Sequence, residues 1–192
     1  MIWFTSDFHF GHAMMADYRG FKSIEDHDNT IINNMAKVIK SNDTVFIMGD
    51  IAMGGWRNNV QKVKQIPGIK HIIVGNHDRV FAGNKMPHDH MRDFMMLTGA
   101  TSVMQQSQYQ GFVLSHFPYT DVNVAGEAER FEAYRAKDDG KPIIHGHVHS
   151  KDRLTVSSKG TSQVHVGVDA WRFKPVSWSQ IKQLGEEDAG SY

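Results

Sequence analysis

Five short polar clusters in this sequence carry residues able to do chemistry, and each follows an apolar run. Asp7-Phe8-His9 sets a carboxylate and an imidazole two residues apart, a sensible ligand pair for a borderline divalent metal. Gly49-Asp50 ends the run Thr44-Val45-Phe46-Ile47-Met48. Glycine lets the backbone approach closely there, and the two oxygens of Asp50 can each serve one cation. Gly75-Asn76-His77-Asp78 follows Ile72-Ile73-Val74. It offers a neutral carbonyl oxygen, an imidazole, and a carboxylate able to fix that imidazole's tautomer or hold its charge. His116 follows Phe112-Val113-Leu114-Ser115. His145-Gly146-His147-Val148-His149 puts three histidines in five residues. Residues two apart share a face of an extended chain, so His147 and His149 can point at one site, and His145 with them. Singly, each cluster also fits a turn, a surface histidine or, for the last, a metal-scavenging stretch. Their order and their common place at strand ends are what carry meaning.

The elements that must position them can be read from periodicity. Ile2–Thr5 is short, apolar and β-prone. Ile31, Ile32, Met35, Val38 and Ile39 fall on one helical face and predict a helix over 29–40, with Asp28 as its cap. Thr44–Met48 and His71–Val74 read as buried strands. Between them Val60, Val63 and Ile66 predict a helix over 58–66, stopped by Pro67-Gly68. The first half is thus β-α-β-α-β, which predicts an α/β sheet with its site at the carboxyl ends of the strands. The second half is richer in strands. These are expected over 102–104 and 111–115, flanking a turn region at 105–108, and again over 142–144 and 163–168. A helix is expected over 125–136. We expect one domain over 1–184 and a polar tail over 185–192.

Composition narrows the chemistry. Twelve histidines and no cysteine occur in 192 residues. That excludes a disulfide scaffold, a cysteine zinc finger, an iron–sulfur cluster and a cysteine nucleophile. Lys+Arg and Asp+Glu are both 21, so no broad basic field favours nucleic acid, and a compact substrate fits better. No apolar run is long enough to span a membrane. No secretory leader is visible, so the chain reads as intracellular, in the cytoplasm.

In order, D-x-H, G-D, G-N-H-D, a lone H and G-H-x-H resemble the signature of the calcineurin-like metallophosphoesterase superfamily. The resemblance runs from Asp7 to His149. Ser6-Asp7-Phe8-His9-Phe10-Gly11-His12, Gly167-Val168-Asp169-Ala170-Trp171 and Pro175-Val176-Ser177 resemble the small stand-alone phosphoesterases of bacteria and their phages. The resemblance implies a four-layer α/β/β/α sandwich of two mixed sheets. It implies two divalent metal ions. Asp7, His9, Asp50 and His149 would hold one; Asp50, Asn76, His116 and His147 would hold the other. The donor set suits Mn, Fe, Zn, Ni, Co or Mg, with Mn²⁺ the ion to use in assays. The implied reaction is hydrolysis of a small phosphoester by hydroxide bridging the ions, with His77 as general acid and Asp78 as its orienter. His12, Arg79 and Asp169 are the expected substrate contacts. Trp171 is expected to help close the pocket, and Arg57 to meet phosphate. The G-D block lacks the D-R-G continuation, and G-N-H ends in Asp78 rather than Glu. Both departures count against a phosphoprotein phosphatase and lean toward a phosphodiesterase or nucleotide phosphatase. A nuclease of the same chemistry and a non-catalytic scaffold on this fold are the alternatives.

Overall fold

The computed structural model describes residues 1–120 and 131–189. Its strands form two five-stranded sheets. The first has the order β10-β1-β2-β3-β4: Val176–Ser177, Ile2–Thr5, Thr44–Ile47, Ile69–Ile73 and Ser102–Met104. β1 to β4 run parallel, and β10 pairs antiparallel with β1. The second has the order β5-β6-β7-β9-β8: Gln106–Tyr109, Phe112–Ser115, Ile143–His145, Ser162–His165 and Leu154–Val156. Its centre, β6-β7-β9, is parallel, with antiparallel strands at both edges.

Strict alternation splits each parallel strand between two cores. Phe4, Phe46 and Ile73 face inward and pack with Leu114, Ile144 and Val164 of the second sheet. Trp3, Val45, Ile47 and Ile72 point the other way, into a second core with Ile31, Met35, Val63 and Phe94. The outer face of the second sheet carries Val113, Ile143 and Tyr119, with Ala136 against them. The described residues therefore supply a helical layer and two sheets. The helical layer expected on the second sheet's outer face is not among them.

The helices are α1 (Ala13–Tyr18), α2 (Ile24–Ala36), α3 (Trp56–Val60), α4 (Met91–Thr98) and α5 (Trp178–Ala189). α2 starts earlier than the apolar period suggests, because Ser23 is the cap. Its side chain accepts the amide of Asp26 at 3.0 Å, and Glu25 and Asp26 suit the first turn. Asp28 is not a cap; it lies inside the helix and is buried. The helix expected over 58–66 is α3 followed by a 3₁₀ stretch, Gln61–Gln65. The expected turn over 105–108 is largely strand β5. The chain leaves the first sheet at Gln105 and enters the second, and the tight turn sits at Gln110 and Gly111, both with positive φ. Of the helix expected over 125–136, residues 125–130 lie outside the described residues. The rest holds a single 3₁₀ turn, Glu132–Tyr134. α5 runs on to Ala189, past the boundary at 184.

Candidate metal centre

The two sheets meet at the carboxyl ends of their parallel strands. Ser6, just past β1, bridges to Gly167, just past β9, and the amide of Val168 donates to the Ser6 carbonyl at 3.2 Å. All five polar clusters leave strands at this seam. Asp7, His9, Asp50, His147 and His149 have φ between 49° and 74°, a left-handed conformation in which Asp and His are enriched. Such strain persists where surrounding structure over-determines it, and it gathers at functional sites. Here the amides of Asp7 and His9 donate to the carbonyls of Gly49 and Asp50 at 3.1 and 3.0 Å, locking the first two turns together. The glycines are required by close approach. A Cβ on Gly75 would lie 2.2 Å from an Asp50 carboxylate oxygen, and one on Gly146 would lie 2.0 Å from Ser6 Oγ.

The seven expected ligands come together. Asp7, His9 and His149 form one group able to hold a metal ion; Asp50, His116 and His147 form another, with ligand atoms within 4.8 Å of one another in each. Asp50 Oδ2 stands between them, 3.4 Å from His116 Nε2 and 3.7 Å from His9 Nε2. Asn76 Oδ1 lies 3.0 Å from His116 Nε2.

Hydrogen bonds aim these rings. The Nδ1–H of His116 donates to the Met48 carbonyl at 2.6 Å, leaving Nε2 toward Asp50. His149 Nδ1 donates to Asp169 Oδ2 at 3.0 Å. Both Asp7 oxygens accept the His147 amide at 3.1 Å. Burial would raise the Asp50 carboxyl, but the charge and hydrogen bond of His116 beside it hold it well below the usual carboxylate range. Burial would lower His116, yet the Asp50 charge and hydrogen bond push it up to about 9. Burial lowers His147 to about 2, with the charge of His116 adding to the effect. Burial likewise lowers His9 far below its ordinary value, so both rings are neutral, the form that binds metal. Among the described residues neither ring nitrogen of His9 has a hydrogen-bond partner, although the residue is 2 % exposed. Buried polar atoms are rarely left so, and a cation between Asp7, His9 and His149 satisfies one of them. The donor set is all nitrogen and oxygen, and it fits a divalent metal ion.

Four expected roles change. Asp78 does not orient the His77 ring. Its oxygens accept the amides of Gly75, Asp50 and Ile51 at 2.9 to 3.1 Å, so it holds the backbone under Asp50. Burial, with the Asp50 charge, raises its carboxyl to about 7. Asp169 is no exposed substrate contact; it is clamped between His149 and the Arg19 guanidinium, which donates to both its oxygens at 2.8 and 2.7 Å. Trp171 is buried and donates to the His165 carbonyl at 2.9 Å, so it belongs to the core. Arg57 pairs with Asp93.

The remaining residues stand as follows. His77 is 42 % exposed, its Nε2 4.0 Å from Asp50 Oδ2, and its ring lies 5.4 Å from that of His9. His12 packs against His9 at 5.7 Å. Arg79 is exposed on a neighbouring cavity. His145 is buried against His165, ring centroids 5.4 Å apart, and lies outside both ligand groups.

Sequence reasoning missed Arg19. It also donates to the carbonyls of Asp7 and Phe8 at 2.8 and 3.2 Å and to His27 Nε2 at 2.8 Å. His27 Nδ1 in turn donates to Asp28 at 2.7 Å, and Lys62 completes the chain at 2.7 Å. An Arg eight residues before a His, just past the end of α1, is no signal in sequence; only burial reveals it.

A cavity of about 470 Å³ opens over the ligands, lined by Asp50, His147, His149, Phe81, Phe131 and Tyr134. No helix among the described residues is long and apolar enough to cross a membrane. Fold and site together define an α/β protein of two mixed sheets with His/Asp groups that could bind metal at the seam between them. The chain belongs to the family of the mycobacteriophage Gene 66 proteins. It is 34% identical over 182 residues to the Gene 66 protein of Mycobacterium phage L5, spanning 88% of this chain and 86% of the relative. It is 34% identical over 188 residues to that of phage D29, spanning 88% of each. The solved structure of AQ665, a protein of unknown function from Aquifex aeolicus, has the same fold: TM-score 0.68 and 24% identity over 96% of this chain and 98% of that one. No family model matches the chain.

Proposed function

We propose that this chain is a dinuclear metal-dependent phosphoesterase of the calcineurin-like type, acting on small phosphoesters, with a phosphodiester or a nucleotide as substrate. The observation that carries the reading is the position of Asp50 Oδ2 between two three-residue ligand groups. In the proposal Asp7, His9, Asp50 and His149 hold one cation; Asp50, Asn76, His116 and His147 hold the other. When bound, such a pair supplies a water of lowered pKa and offsets charge on the phosphate oxygens.

The chain's own residues do the rest. The His77 amide donates to Asp50 Oδ1 at 2.9 Å, which fixes the loop that carries the His77 ring. That ring stands at the cavity wall within 4.0 Å of the shared carboxylate, where it can give a proton to the leaving oxygen. Phe81, Phe131 and Tyr134 give the cavity an apolar, aromatic side facing the ligands.

Hydrolysis of bis-p-nitrophenyl phosphate and p-nitrophenyl phosphate, with and without Mn²⁺, tests the proposal. Metal-dependent turnover, faster on the diester, is the expected result. No turnover with any divalent cation would leave a scaffold on this fold as the better account.

A further inference from the structure

A second cavity, of about 490 Å³, adjoins the first and shares Asn76, His77 and Asn84 with it. The ligand groups lie on one side of this shared wall. On the other stand Trp56, Met86 and Phe94, with Arg79 and Lys85 beside them. The indole of Trp56 is fixed by the Arg57 guanidinium 5.0 Å over its ring and by the His90 edge at 5.6 Å. Neither Arg79 nor Lys85 makes a side-chain hydrogen bond or ion pair with another described residue. The one carboxylate in the wall, Asp78, is buried with both oxygens taken by backbone amides. Among the described residues, the cavity thus offers an apolar, aromatic floor and two cations without an ion-pair partner, and no exposed anion.

From this we infer that the second cavity is the subsite for the leaving group, and that the leaving group is a nucleotide, an aromatic base joined to a phosphate of its own. The inference rests on the phosphoesterase reading and deepens it. In-line displacement sends the leaving oxygen away from the attacking water, and a proton donor must stand beside that oxygen. His77 is that donor, and the second cavity is the space beyond it. The volume falls in the range that accommodates small organic ligands. Trp56 provides the stacking surface, and Arg79 and Lys85 take the terminal phosphate. In the step, a water oxygen bonds to phosphorus and the P–O bond to the leaving nucleotide breaks. His77 protonates that oxygen and regains, through solvent, the proton released by the water. The products are one phosphomonoester and one nucleotide alcohol.

The test uses the linear dinucleotide pApA, its analogue ApA without the terminal phosphate, and bis-p-nitrophenyl phosphate. Wild type should prefer pApA over ApA by kcat/KM. Arg79→Ala with Lys85→Ala should remove that preference. Trp56→Ala should lower kcat/KM for pApA about tenfold or more relative to bis-p-nitrophenyl phosphate. Calorimetric titration with adenosine 5′-monophosphate gives a readout independent of turnover, and both variants should bind it at least about tenfold more weakly. Unchanged preference and unchanged nucleotide affinity in both variants would overturn the subsite. Nucleotide binding that depends on Trp56, without hydrolysis of any ester, would keep the subsite and reject the phosphoesterase reading instead.

Discussion

The two ligand groups are held in different ways. Asp7, His9 and His149 have, besides the backbone bonds of Asp7 and His9 to the Asp50 turn, a brace of charged side chains. Arg19, with its side chain 1 % exposed, grips Asp169, which holds His149, and also grips the carbonyls of Asp7 and Phe8. Behind it the chain of His27, Asp28 and Lys62 runs out to the surface. Asp50, His116 and His147 are tied mainly by backbone. Met48 supplies a carbonyl to His116, the His77 amide donates to Asp50, and Asp78 secures the amides of Asp50 and Ile51. A site held by backbone can be disturbed only by disturbing the fold. A site held by a remote ion pair can be loosened by one side chain, with the other site left intact.

Substitutions can break or sharpen this contrast. Asp50 belongs to the second group and reaches to 3.7 Å from His9 of the first, and in the proposal it serves both ions, so Asp50→Asn should abolish the contrast: phosphoesterase activity should fall to background with any cation added, while circular dichroism stays native. His77 belongs to neither group. His77→Ala should lower kcat on a poor leaving group by about 10²- to 10⁴-fold, with metal content unchanged; full activity on that ester would remove His77 from the mechanism. Asp169→Asn should weaken one of two metal-binding steps by about 10- to 100-fold in a calorimetric titration and spare the other. Arg19→Met should do the same, and equal weakening of both steps would show that the support is shared. The smallest effect lies farthest from the site. Burial raises the Asp28 carboxyl, but the hydrogen bonds from His27 and Lys62 outweigh it and bring it below 3.8. Its contribution, of order 1 kcal/mol, is therefore present above about 4 and lost as pH falls through the lowered value. Denaturant melts of Asp28→Asn should show a deficit at pH 7 that shrinks on acidification.

Much of the site was legible because each ligand lies within a few residues of a strand end, so type and spacing survive in one dimension. The parallel strands β1 to β3 were legible for the same reason: both faces are buried, and they read as plain apolar runs. Strand β5 was hidden. Gln106, Ser107 and Gln108 are polar because it is an edge strand, and polarity there reads as a turn. The Arg19–Asp169 pair was hidden by its 150-residue separation. Asp78 was misjudged because adjacency to His77 in sequence suggested contact, whereas the loop turns its carboxylate under Asp50. Trp56 and Lys85 drew no notice, since only the folded loops set them against His77.

The central claim is that one carboxylate joins two metal ions. Counting Mn²⁺ per chain by plasma mass spectrometry, after loading and desalting, tests it most directly. The account predicts two ions in the wild-type chain and fewer than one in Asp50→Asn. One ion in the wild type, or two retained without the Asp50 carboxylate, would contradict it.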